Sequence, residues 1–263
     1  MKQFIILANQ RSGSTLLYKL LDSNPEIFCM DEVFRIGANT HGNFTYYVNK
    51  NFFRKALFKV SCNKFTKNYF PNNPILRNLI IRFLDKEKYL ARKIKSYEFF
   101  GYKLMYNQYD SYKPLSSWIR EKNVHVIHLI RQNALKLHLS WLTRIERNLP
   151  HSTEHVDNVK VYVDPNTIID TLSEIVNRQK KYRQIFVKDF SNNPYIEIYY
   201  EQLQKGFNIP VQKILSFLKI KNQNINAPQL KKLNLDSVSE IILNYDDVHK
   251  KLIKTSFKKF LDS

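Results

Sequence analysis

The stretch Phe-Ile-Ile-Leu-Ala-Asn-Gln-Arg-Ser-Gly-Ser-Thr-Leu-Leu, residues 4–17, decides the predicted fold. The apolar run Phe4–Ala8 predicts a buried strand, and Gly13, the first glycine of the chain, predicts a tight turn. The residues from Thr15 onward predict a helix that begins at once and ends near Pro25. A junction of this kind directs unpaired backbone N–H groups and the positive end of a helix at one point, which favours a bound phosphate or sulfate.

The loop between this strand and helix carries its own donors. Arg11, Ser12, Ser14 and Thr15 each add a side-chain donor, and Gly13 is expected to let the backbone approach an anion closely. The loop lacks the four-residue spacer and the Gly-Lys-Ser/Thr with which nucleotide triphosphatases bind phosphates and magnesium. It therefore predicts an anion site that requires no metal.

Further along the chain, strand-like apolar runs alternate with helical patterns, which predicts an α/β fold with a mainly parallel sheet covered on both faces. The 263 residues favour a single domain over 1–263. The expected later strands are Glu26–Met30, Tyr102–Met105, Val124–Ile130 and Tyr195–Tyr200, and the expected helices are about Gln132–Arg147, Asn166–Phe190 and Val211–Leu218.

The composition restricts the partners. A formal net charge of +19 favours acidic ones, such as nucleic acid, an anionic membrane surface, polyanionic glycans or phosphorylated cofactors. The two cysteines, Cys29 and Cys62, form neither a disulfide framework nor a metal-binding spacing. No apolar run is long enough to span a membrane, and the apolar start is too short for a signal peptide. A cytoplasmic location is therefore expected, with peripheral membrane contact as an alternative.

A basic and aromatic segment at about 43–98 interrupts the alternation. Within Lys50–Tyr97 the acidic residues are only Asp85 and Glu87, while lysines, arginines and aromatic residues are interleaved. The segment predicts a mostly helical insertion. Three roles stay open at this point: a cover for the sheet with solvated lysines, a wall or lid that binds the acceptor, and a nucleic-acid surface, which no recognition motif supports.

A second anion-binding element is predicted at the end of the strand Val124–Ile130. Arg131 follows this strand directly, and Ser140 lies nine residues further on, in the next helix. An arginine at the carboxyl end of a parallel strand points into the crevice where open α/β sheets bind ligands, and its donors match phosphate oxygens. Together with the first loop, this element predicts a ligand that carries an anionic group at each end.

Four stretches in this order resemble the sulfotransferases that use 3′-phosphoadenosine-5′-phosphosulfate (PAPS), most closely the bacterial and Golgi carbohydrate-type members. The loop Arg11–Leu17 resembles their 5′-phosphosulfate loop, and "VIHLIRQNALKLHLSW" resembles their 3′-phosphate strand and helix. The stretches "IEIYYEQLQKGFNIPVQKILSFLKI" and "VSEIILNYDDVHKKLIKTSF" resemble later family segments. The resemblance implies a P-loop-like three-layer fold around the parallel sheet.

The resemblance also implies roles for individual residues. Arg11, Ser12, Gly13, Ser14 and Thr15 would bind the 5′-phosphosulfate of PAPS, which serves as cosubstrate without a required metal. Arg131 and Ser140 would bind its 3′-phosphate, although the spacing between arginine and serine is often one residue shorter in relatives. Arg11 stands where cytosolic relatives have a lysine near the bridging oxygen, and it is therefore also a candidate catalytic residue.

The expected general base is Glu32, at the place where carbohydrate-type relatives have a glutamate, with the adjacent Asp31 as the alternative. Lys103 resembles the lysine that relatives place near the transferred sulfate. Where many relatives have a histidine base two residues later, this chain has Met105, which favours Glu32. His128 is interpreted as a hydrogen-bonded core histidine, and Glu201 as a brace for a neighbouring helix.

These observations predict a PAPS-dependent sulfotransferase whose acceptor is a hydroxyl on a carbohydrate or glycolipid. Two alternatives remain. A P-loop nucleotide or small-molecule kinase would require magnesium-dependent ATP binding. A non-enzymatic polyanion-binding or nucleic-acid-binding protein would bind through the basic insertion in a strongly salt-dependent way, and nucleic acid is the less favoured partner. The sequence fixes neither the acceptor nor the oligomeric state.

Overall fold

A computed structural model describes residues 2–32, 97–111, 114–146, 159–221, 224–225 and 237–261. The predicted insertion at about 43–98, with its predicted role as a lid or wall, lies almost entirely outside the described residues. The single-domain assignment over 1–263 likewise stays a prediction. Among the described helices, none is long and apolar enough to cross a membrane.

The described strands form one five-stranded sheet in which every pair of neighbours is parallel. The α/β class and the parallel sheet predicted from the sequence are thus confirmed. The strands follow each other across the sheet in the order β2-β3-β1-β4-β5. They are β1 Lys2–Ala8, β2 Ile27–Glu32, β3 Phe99–Met105, β4 His125–Ile130 and β5 Tyr195–Tyr199.

Helices connect and cover these strands. They are α1 Ser14–Asp22, α2 Tyr106–Ser111, α3 Pro114–Glu121, α4 Ala134–Glu146, α5 Ile168–Gln184, α6 Tyr200–Lys205, α7 Asn208–Leu218, α8 Val238–Ile241 and α9 Tyr245–Leu252, with a short 3₁₀ turn at Lys258–Phe260. The long helix predicted over Asn166–Phe190 ends its α-helical part at Gln184 and continues as a π-helical turn, Ile185–Asp189. The rings of Phe186 and Phe190 stack within and just after this turn, and both are buried.

The alternation of β1 divides the core between the two faces of the sheet. Phe4, Ile6 and Ala8 pack with α1 and α7, whereas Ile5 and Leu7 pack with aromatic residues of α2 and α5. Both sets are fully buried, as expected for a central parallel strand that is covered on both faces. The apolar run at 4–8 therefore fixes β1 in the middle of the sheet.

The strand order creates a switch point between β1 and β4. The chain leaves β1 towards β2, on one side of the sheet, and leaves β4 towards β5, on the other. Ligands of open α/β sheets bind at such a point, outside the carboxyl ends of the strands. The loop after β1 and Arg131 after β4 are the two segments that flank it.

Candidate functional site

The loop between β1 and α1 has two residues in the left-handed region of backbone conformation, Arg11 with φ 64° and Gly13 with φ 85°. The hydroxyl of Ser12 is fully buried and donates a hydrogen bond to the Asn9 carbonyl at 2.6 Å. The Ser12 hydroxyl therefore stabilises the loop, whereas the sequence predicted that it would donate to a ligand. α1 begins at Ser14, and no side chain caps this helix end by a hydrogen bond within the described structure.

Gly13 is required by packing as well as by its backbone angle. A Cβ atom built on Gly13 would lie 2.2 Å from Cδ2 of Tyr200, far inside contact distance. The space beside Gly13 is thus filled by the ring of Tyr200, the first residue of α6. The sequence predicted that Gly13 lets the backbone approach an anion closely. The structure adds a second reason for the glycine, the contact with Tyr200, which is distant in the chain.

Arg131 joins this loop from the neighbouring strand. Its Nη1 donates to the carbonyl oxygen of Arg11 at 3.1 Å, and its guanidinium carbon lies 4.7 Å from the centre of the Tyr200 ring. Burial lowers the pKa of Arg131 below its ordinary value. In the described part of the chain, its buried Nε has no hydrogen-bond partner. A buried guanidinium with a donor to spare is suited to an anionic ligand.

Ser140 lies close to the same loop. Arg11 Nε donates to the Ser140 hydroxyl oxygen at 3.3 Å, so the structure brings together both residues predicted for opposite ends of the ligand. On the same helix, burial and then the charge of Arg131 lower the pKa of Lys136. An anion placed between these cations would relieve their mutual repulsion.

Glu201 fixes the start of α4, as predicted. Its two carboxylate oxygens accept hydrogen bonds from the backbone N–H groups of Gln132 and Asn133, each at 3.1 Å. A carboxylate at a helix N terminus also opposes the positive end of the helix dipole. Tyr200 and Glu201 together therefore orient Arg131. Tyr200 contacts the Arg131 guanidinium, and Glu201 holds the backbone that follows Arg131.

Lys103 organises the other half of the site. Only 3% of its side chain is exposed, and its Nζ donates to the Thr15 hydroxyl oxygen at 3.2 Å. The same Nζ lies 2.5 Å from a carboxylate oxygen of Asp31 and 3.6 Å from one of Glu32. It also lies 5.3 Å from the ring centre of Tyr18, one turn along α1. The structure thus joins Lys103, Thr15 and both candidate bases.

An irregularity in β2 explains how two adjacent carboxylates reach one lysine. Successive residues of a regular strand point to opposite faces. In the pairing of β2 with β3, however, the register shifts between Met30 and Glu32, and Glu32 is the residue that pairs with Lys103. Such irregularities re-aim side chains next to functional sites.

The two carboxylates have different surroundings. The Asp31 side chain is 60% exposed and ion-paired with Lys103, whereas that of Glu32 is 26% exposed. Glu32 accepts a hydrogen bond from the buried amide of Gln108 at 2.8 Å. Glu32 is therefore the less exposed of the two carboxylates, and it keeps partial access to solvent.

A buried polar network lies beneath the site, on the α5 side of the sheet. The ring nitrogens of His128 contact the hydroxyls of Tyr106 at 2.5 Å and Tyr195 at 2.7 Å, and Tyr195 donates to Glu197 at 2.8 Å. Arg183 makes two further hydrogen bonds to Glu197. His128 is fully buried and hydrogen-bonded, which confirms its interpretation as a core histidine.

Three contributors to the site were not identified in the sequence: Gln108, Tyr18 and Lys136. A glutamine three residues after a strand, a tyrosine on a helix and a lysine in a lysine-rich chain carry no distinguishing local signal. Their positions follow from tertiary packing. A helical wheel of α1 is the one sequence observation that relates Tyr18 to the site, because it places Tyr18 on the same face as Thr15.

Known proteins similar to this chain were found at the level of a family model and of solved structures. A family model described as "Sulfotransferase family" matches residues 3–224. Among solved structures, a sulfotransferase from Alicyclobacillus acidocaldarius is 11% identical, with a TM-score of 0.45, and the alignment covers 88% of this chain and 86% of that one. A sulfotransferase domain from the curacin biosynthetic pathway is 14% identical, with a TM-score of 0.48 and coverages of 92% and 82%. No curated protein sequence matches significantly.

Proposed function

Because this chain belongs to the sulfotransferase family, we propose that it transfers the sulfuryl group of PAPS to an acceptor hydroxyl on a carbohydrate or glycolipid. The observation that carries the proposal is the convergence of two cationic elements at the switch point of the sheet. The loop after β1 and Arg131 after β4 are in direct hydrogen-bond contact. They suit a ligand with one anionic group at the α1 end and a second beside Arg131.

The residues fit such a ligand by their chemistry. The backbone of the loop and the N terminus of α1, with Arg11, Ser14 and Thr15, would bind the 5′-phosphosulfate. Arg131 and Ser140 would bind the 3′-phosphate, and the buried Nε of Arg131 is a donor without a described partner for it. No residue in this assignment requires a divalent metal, and independence from metal stays a prediction.

The catalytic part of the proposal concerns Glu32 and Lys103. PAPS, when bound, supplies a sulfuryl group whose bond to the phosphate oxygen breaks as its bond to the acceptor oxygen forms. Glu32 accepts the proton of the acceptor hydroxyl, which contributes on the order of 10²- to 10⁴-fold to such a step. Lys103, held by Thr15 and Asp31, provides positive charge next to the group that is transferred.

The class of acceptor is inferred from the base. Met105 occupies the position where a histidine base would stand, and it is buried, whereas the glutamate expected in carbohydrate-type members is held at the site edge by Gln108. This arrangement supports an aliphatic hydroxyl acceptor of the kind found on sugars. Radiolabelled PAPS incubated with a panel of glycans, glycolipids and phenols tests the acceptor class, since preferential labelling of phenols contradicts it.

The role of Glu32 is tested with Glu32→Gln and a matched control, Asp31→Asn, which removes the same charge from the adjacent, more exposed residue. We expect Glu32→Gln to lose on the order of 10²-fold or more in turnover of PAPS, with affinity for adenosine 3′,5′-bisphosphate unchanged within about threefold. Asp31→Asn should lose less than about tenfold. A large loss in Asp31→Asn alone would assign the base role to Asp31.

A further inference from the structure

Gln108 contacts Glu32, and both ends of its side-chain amide are hydrogen-bonded. Its Nε2 donates to a carboxylate oxygen of Glu32 at 2.8 Å, and its Oε1 accepts the backbone N–H of Met105 at 3.0 Å. Only 4% of Gln108 is exposed. A buried amide whose donor and acceptor are both paired has one stable placement, because breaking either hydrogen bond leaves a polar group unsatisfied away from water.

The orientation of this amide is determined by its neighbours. A backbone N–H can only donate, so the oxygen of Gln108 must face Met105. The nitrogen then faces Glu32, where it donates to a carboxylate oxygen. Lys103 is farther from the Glu32 carboxylate, at 3.6 Å, and its Nζ is nearer to Thr15 and Asp31.

Gln108 is itself supported by the buried contacts of its helix, α2. It lies on the short helix α2, whose first residue, Tyr106, stacks on Tyr182 with the ring centres 4.0 Å apart. The Tyr182 hydroxyl donates to the carbonyl oxygen of Tyr106 at 2.8 Å, and the Tyr106 hydroxyl contacts His128. These buried contacts tie α2 to α5 and β4, so the helix that carries Gln108 is anchored in the core.

We propose that Gln108 is a positioning residue that holds the Glu32 carboxylate correctly aimed for the transfer reaction. The proposal rests on the role of Glu32 proposed above. Gln108 acts through Glu32 and does not itself exchange a proton with the acceptor. A supporting side chain of this kind matters because catalytic groups need placement within a fraction of an ångström, and a displacement of about 1 Å can cost on the order of 10²-fold in rate.

Two variants test the proposal, with one control. Gln108→Met keeps the length and packing of the side chain but removes both hydrogen bonds, and Gln108→Glu keeps the shape but places a second carboxylate against Glu32. The control is Gln184→Glu, which makes the same charge change at an exposed glutamine at the end of α5. Binding of adenosine 3′,5′-bisphosphate within about threefold of wild type establishes that each variant is folded.

The first readout needs no turnover. The side-chain carboxyl carbons of glutamate are observed by ¹³C NMR at pH 7 in the ligand-free protein, and Glu32→Gln identifies the resonance of Glu32. We expect this resonance to change its chemical shift in both Gln108 variants, because both remove the hydrogen bond that Gln108 donates to the carboxylate. Gln184→Glu should leave it in place.

The second readout is the hydrolysis of PAPS to adenosine 3′,5′-bisphosphate, with water as acceptor. We expect kcat to fall on the order of 10- to 100-fold in both Gln108 variants, with KM for PAPS within about threefold. Either an unmoved Glu32 resonance or an unchanged kcat overturns the proposal. If Glu32→Gln itself keeps full turnover, the base role proposed for Glu32 fails, while the Glu32 resonance still decides whether Gln108 holds that carboxylate.

Discussion

Replacing His128 should remove much of the acid sensitivity of this protein. His128 lies in the middle of the sheet, and desolvation by burial lowers its pKa from an ordinary 6.5 to about 3, against the opposing effect of Glu197. The network fixes its tautomer, because Glu197 can only accept from Tyr195, so that Tyr195 must accept from the His128 Nδ1–H. The neutral ring then accepts at Nε2 from Tyr106.

The direction of the effect follows from proton binding. Below pH 6.5 the unfolded chain takes up a proton on His128 that the folded protein does not, so the free energy of unfolding falls as the pH drops towards 3. With the ordinary and folded pKa values given above, the loss between pH 7 and pH 5 is about 2 kcal/mol. This figure depends little on the folded pKa, provided that it stays well below 5. Glu197 contributes little in this interval, because hydrogen bonds from Arg183 and from two tyrosines outweigh its burial and lower its pKa to about 2.

The assay is urea unfolding at pH 7 and pH 5, followed by tryptophan fluorescence, for wild type, His128→Gln and His249→Gln. Glutamine at 128 offers a donor and an acceptor to the two tyrosines but does not titrate, whereas His249 lies on α9, outside the buried network. Between the two pH values, His128→Gln should lose about 2 kcal/mol less than wild type, at similar m-values. An equal loss in wild type and His128→Gln would mean that His128 does not cause the acid sensitivity, and His249→Gln should behave as wild type.

Two further predictions concern the site itself. Gly13→Ala should destabilise the fold by about 2 kcal/mol or more, because an L residue at positive φ costs roughly 1–2 kcal/mol and its Cβ would overlap the Tyr200 ring. In the double variant with Tyr200→Ala, only the part of this loss that is due to the overlap should be recovered. Chemical unfolding of the single and double variants measures both effects. Lys103→Met should lower PAPS turnover on the order of 10²-fold, as measured by kinetics. Its affinity for adenosine 3′,5′-bisphosphate, measured by calorimetry, should change less than about tenfold. An equal loss of turnover and affinity would mean that Lys103 serves binding alone.

The sequence predicted those elements whose signal is local. The apolar run Phe4–Ala8 predicted β1, and the run Val124–Ile130 predicted β4 with Arg131 at its end. The sheet and one edge of the site could therefore be predicted from the sequence. Apart from the π-helical turn after α5, the ends shift by at most three residues, because caps and turns decide them. β3 begins at Phe99 instead of Tyr102, and Tyr200 begins α6 instead of ending β5.

The contacts that complete the site depend on register and on long-range packing, which no local pattern records. The shift between Met30 and Glu32 brings both Asp31 and Glu32 to Lys103. A regular strand would have sent them to opposite faces. The contact between Tyr200 and Gly13 was likewise not predicted.

The proposed function requires this site to bind a nucleotide with anionic groups at both the 5′ and the 3′ end. Calorimetry in EDTA should show adenosine 3′,5′-bisphosphate binding about 10- to 100-fold more tightly than AMP, from charge-assisted hydrogen bonds worth roughly 1.5–3 kcal/mol. Arg131→Ala should remove most of this difference and leave AMP binding within about threefold. Equal affinity for the two nucleotides, or tight ATP binding that requires magnesium, would contradict the proposed site.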